Sequence, residues 1–215
     1  MSLRKSGNPY GDHEITEPGA MRALAHPVRL AILSRLQGHG PATATELSEH
    51  VDASPSVTSW HLRHLASFGL VRDSDTGGAG GGEGGRDGRK RYWESVAPGF
   101  RFELGDDDEG LAASRVLTRS MFDQAAGLPA RWAAETEPDL EPRWRRQAGL
   151  SNTTFHVTAR ELADVEAAIE QVLAPYVTRA VQDRPARTRP VRMIRYVLPG
   201  PADDDRDDDR EDEPS

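Results

Sequence analysis

Along the stretch "SPSVTSWHLRHLASFGLVR", residues 54–72, small hydroxyls, one indole and one guanidinium recur at intervals that a single helix face would collect. At about 100° of turn per residue, Ser56, Ser59, Trp60, Arg63 and Ser67 fall within an arc of about 100°, with Val57, His61, Leu62, Leu65 and Phe68 on the other side. Such a face has the chemistry of a groove reader. Small residues allow close approach, serine bonds phosphates or base edges, and arginine makes a bidentate contact to guanine. Ser54 and His64 extend the set toward phosphate. A second group, Arg89, Lys90 and Arg91 in "GRKRYW", is the densest basic run of the N-terminal half and suits phosphate neutralisation. Both groups also have plainer readings, since any surface helix carries a polar stripe and charge protects strand edges. The candidate DNA-contacting residues are therefore Ser54, Ser56, Ser59, Trp60, Arg63, His64, Arg89, Lys90 and Arg91. His61 points inward and is read as a core histidine satisfied by a backbone group.

These residues need elements to hold them. Ser54 followed by Pro55 is an N-cap and a first-turn proline, and Gly69 stops the helix. Before it, "TATELSEHV" begins with Thr43 three residues ahead of Glu46, the capping-box spacing of a short helix. Further upstream, Pro27 cannot sit inside a continuous helix, so "GAMRALAHPVRLAILSRLQGHG" reads as two helices meeting at His26-Pro27. Downstream, "LVRDSD" and "RKRYWESV" read as two strands around the glycine-rich "TGGAGGGEGGRDG". One of Tyr92 and Trp93 must pack inward by strand alternation. Helix, short turn, helix and hairpin make a helix-turn-helix with a wing.

The rest of the chain is less regular. "LAASRVLTRSMFDQAAG" reads as a helix, "TTFHV" as a short strand, and Thr158 with Glu161 as a second capping box. The helix that follows strings Leu162, Val165, Ile169, Val172, Leu173 and Tyr176 along one stripe, and "RPVRMIRYVLP" reads as a final strand. The expected organisation is a disordered arm (1–18), a winged helix-turn-helix domain (19–97), a linker (98–110), a C-terminal region for dimerisation and effector response (111–200) and an acidic disordered tail (201–215). The fold class is mainly α, of the α+β kind: an N-terminal winged helix with a β-hairpin wing and a C-terminal helical region with one or two short strands.

Charge and composition narrow the function. The chain has 215 residues and a formal charge of -8, but the run "DDDRDDDREDE" alone carries nine acids and two arginines, leaving -1 for everything else. A negative total therefore does not argue against a nucleic-acid partner. With no cysteine, disulfides, thiolate metal sites and cysteine nucleophiles are absent. His61 and His64 lie three apart, but one points inward and no carboxylate joins them, so no metal and no cofactor are expected. No apolar run approaches a membrane span and no signal peptide is evident, so a cytoplasmic location is expected.

"MRALAHPVRLAILSRL", "TATELSEHVDASPSVTSWHLRHLASFGLV" and "GRKRYW", in that order and spacing, resemble the ArsR-type winged helix-turn-helix transcription regulators over about Gly19 to Val96. The resemblance implies sequence-specific binding to double-stranded operator DNA as a homodimer, normally as a repressor, with the second helix of the motif in the major groove and the wing on the backbone. Metal-sensing members place cysteines in the first helix of the motif, or aspartate and histidine in a C-terminal helix; "TATELSEHV" and "TARELADVEAAIEQVL" have neither pattern. Effector and operator stay unidentified. Two other readings remain. A winged helix used only for protein contacts fits a domain that carries nine Lys/Arg against eight Asp/Glu from Ala20 to Ser95. An enzyme with a winged-helix dimerisation domain fits poorly, because the remaining hundred or so residues lack a glycine-rich strand-to-helix turn.

Overall fold

The computed structural model describes residues 8–75, 91–103, 107–180 and 183–201. Its first helical pair is α1 (Pro18–Leu24) and α2 (Pro27–His39), and His26 lies between them. The His26 ring caps α2, its Nδ1 accepting from the Val28 N–H at 3.2 Å, while Pro27 occupies the first turn where its missing N–H is not needed. α3 (Ala44–Ser48) starts on the capping box read from the sequence: the Glu46 N–H donates to Thr43 Oγ1 at 3.2 Å and the Thr43 N–H to Glu46 Oε2 at 2.7 Å. α4 (Pro55–Ser67) starts on Ser54, whose Oγ accepts from the Val57 N–H. It ends as Gly69 turns left-handed at φ +68° and the Leu70 N–H closes back onto the Leu65 carbonyl. Leu24, Ile32, Leu47, Leu62 and Leu65 are completely buried where these helices meet. α3, a turn and α4 form the helix-turn-helix.

The wing is a sheet of three strands in the order β2-β4-β3 if the elements are numbered along the chain: β2 (Ala42–Thr43), β3 (Val71–Asp73) and β4 (Tyr92–Ser95), all antiparallel. Trp93 is the inward residue of β4 at 4% exposure, and Tyr92 is half-buried. The short β2 was not expected. Its two residues double as the entry to the capping box, so their local pattern reads as a helix start. The glycine-rich insertion, including Arg89 and Lys90, lies outside the described residues.

Two boundaries differ from the expectation. The arm to residue 18 holds a strand, β1 (His13–Ile15), and the linker 98–110 holds another, β5 (Phe100–Phe102); the two pair in parallel, His13 opposite Phe100. The Asn8 side chain braces the entry, donating to the Asp12 carbonyl and accepting from the Asp12 N–H. This order comes from a partner nearly ninety residues away in sequence, so a local reading sees only a polar arm. α5 (Asp108–Ala126) then returns to the N-terminal core, where Ala113 and Leu117 are buried in one cluster with Ile15 and Leu24. Ser120 Oγ donates to the Ala25 carbonyl at 2.9 Å, tying α5 to the α1–α2 junction.

Beyond α5 come α6 (Leu128–Glu135), a 3-10 turn (Glu137–Asp139), α7 (Pro142–Arg145) and α8 (Ala159–Val177), and none of these has a buried residue. The Thr158–Glu161 capping box opens α8 as expected. The strands expected at 153–157 and 189–199 are not strands in this single chain; both segments lie outside helix and sheet and are largely exposed. Each has β-forming residues but no neighbouring strand to complete a ladder.

Candidate nucleic-acid interface

The outer face of α4 follows its helical geometry. Ser54, Ser56 and Arg63 are exposed, Ser59 and His64 half-buried, and Trp60 stands 53% exposed. Thr58, His61, Leu62 and Leu65 form the inner face. Val57, expected inside, is 45% exposed. It lies about 100° from Ser56, beside His64, whereas the buried arc is centred near 180°. Phe68 is half-buried at the helix end. The inner position that the pattern missed is Thr58: its angle of about 200° from Ser56 was the signal, and its hydroxyl obscured it.

Ser59 and Arg63 share an open groove of about 380 Å³ with Thr43, Ala44, Thr45 and Glu46 of the preceding helix, and with Arg91 and Trp93 of the wing. The groove thus joins the two candidate sets. Arg91 is held by Asp73 on the neighbouring strand: its Nε and one terminal nitrogen both donate to the carboxylate, the latter at 2.7 Å. The guanidinium carbon lies 4.1 Å from the centre of the Trp93 ring. The hydrogen bonds from Arg91 hold the Asp73 carboxyl below its ordinary range and in turn raise the Arg91 guanidinium. Across the sheet, Arg72 pairs with Glu94 at 2.7 Å. No ion pair engages Arg63 among the described residues, so its guanidinium is available to a partner while Arg91 must exchange one. Asp73 was not among the residues picked from the sequence; a carboxylate opposite a basic strand was its only sign.

An aromatic stack runs from the outer face of α4 toward its inner side. The Trp60 and His64 rings are nearly parallel at 5.5 Å, and His64 meets Phe68 edge-on at 5.3 Å. Trp60 also meets His61, which approaches His26 at 4.8 Å. The contacts with His61 and His64 hold the Trp60 indole while the residue stays 53% exposed. Burial pulls His26, His61 and His64 below the usual imidazole range, with Arg29 adding repulsion to each. At neutral pH the rings are uncharged, so His64 would meet phosphate as a neutral N–H donor. His61 is a core residue, as its angle implied, yet among the described residues its Nδ1 finds no partner, nor do Thr58 Oγ1 and Arg29 Nε. The backbone group expected to satisfy that nitrogen is not found among the described residues.

No group of three or more potential metal-binding side chains occurs among the described residues, and no helix among them is long and apolar enough to cross a membrane.

Residues 24–73 match the family model of a helix-turn-helix domain, a span that opens at the end of α1 and closes at the end of β3. A solved structure described as a possible transcriptional regulator for arsenical resistance is 26% identical, with 52% of this chain and 95% of that chain covered and a TM-score of 0.29. No curated protein matches the chain.

Proposed function

We propose that this chain, which carries a helix-turn-helix domain of the ArsR type, is a sequence-specific transcriptional regulator that binds operator DNA as a homodimer and represses by occupying the promoter. The observation that carries this reading is the groove in which Ser59 and Arg63 of α4 adjoin Arg91 of the wing. In it, α4 lies in the major groove, with Ser56, Ser59, Trp60 and Arg63 toward the bases and Ser54 and His64 toward phosphates. Arg91, together with Arg89 and Lys90, follows the flanking backbone. The low charge of α4 divides the labour, leaving affinity to the wing and to the second copy, and sequence discrimination to the helix.

Dimerisation has a structural motive in the exposed apolar face of α8, where Val172 and Tyr176 are 67% and 66% exposed. Two half-sites double the few base contacts that one short face can make. The protein acts in the cytoplasm and is not an enzyme. With no cysteine in the chain, no thiolate site for a soft metal is proposed. An effector would find the concavity of about 420 Å³ lined by Glu141, Arg143, Arg187, Thr188 and Arg189, whose guanidinium groups suit an anionic small molecule.

A mobility-shift series against the DNA upstream of the protein's own coding sequence, run from low to moderate salt, tests the regulator reading. A complex that survives competition by scrambled duplex is expected. No retardation at any salt concentration would leave the domain as a protein-contact module.

A further inference from the structure

Residues 190–198, "PVRMIRYVL", begin at Pro190, stop before Pro199 and carry six β-favouring or apolar side chains after the proline. In the single chain this segment is neither helix nor strand, and among the described residues no backbone hydrogen bond joins residues 184–201 to any other element. Its anchors are few and lie on side chains: Arg192 donates to Ser34 Oγ at 2.8 Å, Arg195 reaches Glu166 of α8 at 3.5 Å, and the Tyr196 ring meets Phe122 of α5 at 5.4 Å. Meanwhile Val191, Met193 and Leu198 are 75%, 63% and 71% exposed. Together with the neighbouring apolar face of α8, the segment leaves on the order of 1,000 Å² of largely apolar side chain open per chain, more than the roughly 800 Å² per partner of a standard interface. A row of unmade backbone bonds next to that much apolar surface is a strand without its partner.

We infer that the partner is a second copy of this chain, and that residues 190–198 of the two copies pair as antiparallel strands centred on Ile194, making a two-stranded ribbon across the two-fold axis. This rests on the homodimer reading above and specifies where the dimer is built. A two-fold axis normal to a sheet makes one residue face its own counterpart, because side chains alternate faces with a period of two and only registers that keep this parity are allowed. Centring on Arg192 or Arg195 would set like charges face to face. Centring on Ile194 uses all nine residues. It sets Val191 against Val197, places Arg192 across from Tyr196 in cation–π reach, and puts Met193 opposite Arg195.

The chain has no cysteine, so a single introduced thiol reports its own neighbours. Full-length Ile194→Cys, Val191→Cys, and an equimolar mixture of Met193→Cys with Arg195→Cys would be oxidised in dilute solution and resolved by non-reducing electrophoresis, after light scattering on each unoxidised protein. Ile194→Cys should cross-link to itself at least about tenfold faster than Val191→Cys, whose counterpart lies about 20 Å away along the ribbon. The mixture should cross-link, and neither of its members alone. A dimer by light scattering that cross-links equally at 191 and 194, or at neither, overturns the ribbon and leaves the homodimer standing. A monomer at tens of micromolar overturns both.

Discussion

Arg91 and Arg63 border one groove but should fail in different ways when removed. Arg91 sits on the wing, where its partner would be phosphate, and each phosphate neutralised contributes about 0.9 to the slope of log affinity against log salt. Arg91→Ala in a dimer should therefore flatten that slope by about 1.8, so that between 50 and 200 mM salt the wild type loses about 12-fold more affinity than the variant. The loss at low salt should be nearly the same for operator and scrambled duplex. Arg63 projects from the reading helix with no ion pair among the described residues, and Arg63→Ala should leave the slope almost unchanged while removing about 1–3 kcal/mol of discrimination per half-site. The Asp73 carboxylate supplies a third arm. Arg91 must leave it to reach a phosphate, and with both side chains more than half exposed (57% and 58%) the pair is a surface one. Such a pair is worth about 0–1 kcal/mol, so Asp73→Asn should tighten binding to any duplex by up to about 30-fold per dimer. Fluorescence anisotropy on the upstream DNA and on a scrambled duplex across a salt series reads all three. If Arg91→Ala changes sequence preference while the slope stays fixed, or if Asp73→Asn weakens binding, the division of roles between wing and helix is wrong.

Three further outcomes concern the support beneath the reading helix. Thr58 is fully buried and its hydroxyl has no partner among the described residues, so Thr58→Val keeps the shape and removes an unsatisfied group. It should stabilise the protein by about 0.5–2 kcal/mol and raise Tm by about 1–8 °C in a thermal melt, whereas a lower Tm would mean the hydroxyl is satisfied. Leu62→Ala empties a completely buried site on the same helix and should cost about 2–5 kcal/mol in a urea unfolding curve, with operator binding lost in proportion to the unfolded fraction. His26 and His61 have folded pKa values below the ordinary 6.5, so as pH falls through that value the unfolded chain takes up protons first. Their contribution is whole above about pH 6.5 and declines below it; Tm should drop between pH 7 and pH 5, and His61→Phe, which cannot take up a proton, should make the drop smaller.

Much of the N-terminal half was legible because its signals are local. Capping residues such as Thr43, Ser54 and Pro55 act within one turn, and the 3.6-residue period separates Arg63 from Leu62 without any knowledge of the fold. The misses share a different cause. β1 exists because β5 lies beside it, β2 because β4 does, and Asp73 matters because Arg91 crosses the sheet to it. Each depends on a partner distant in sequence, to which periodicity is blind. Thr58 shows a second kind of failure, in which a polar side chain at an inner angle was passed over in favour of the apolar Val57 at an outer one. His61 was placed correctly by angle, but the unsatisfied state of its Nδ1 depends on which groups surround it and has no sequence signature.

The C-terminal half reverses the usual relation between sequence and structure. There the pattern at 153–157 and 190–198 asks for strands and a single chain does not form them, although the sequence conflicts with a strand at neither place. A strand needs a partner to pair with, and among the described residues β1 pairs with β5 and β4 with β2 and β3, while neither segment adds to either sheet. Burial points the same way, since α6 and α8 carry apolar residues at helical spacing yet neither has a buried residue in the single chain. Local propensity and tertiary environment agree over most of the helix-turn-helix and disagree at these two segments, and at 190–198 the disagreement disappears if the environment includes a second chain. On the homodimer reading proposed above, the strand pattern at 190–198 would be completed by the second copy, whereas 153–157 has no partner assigned to it.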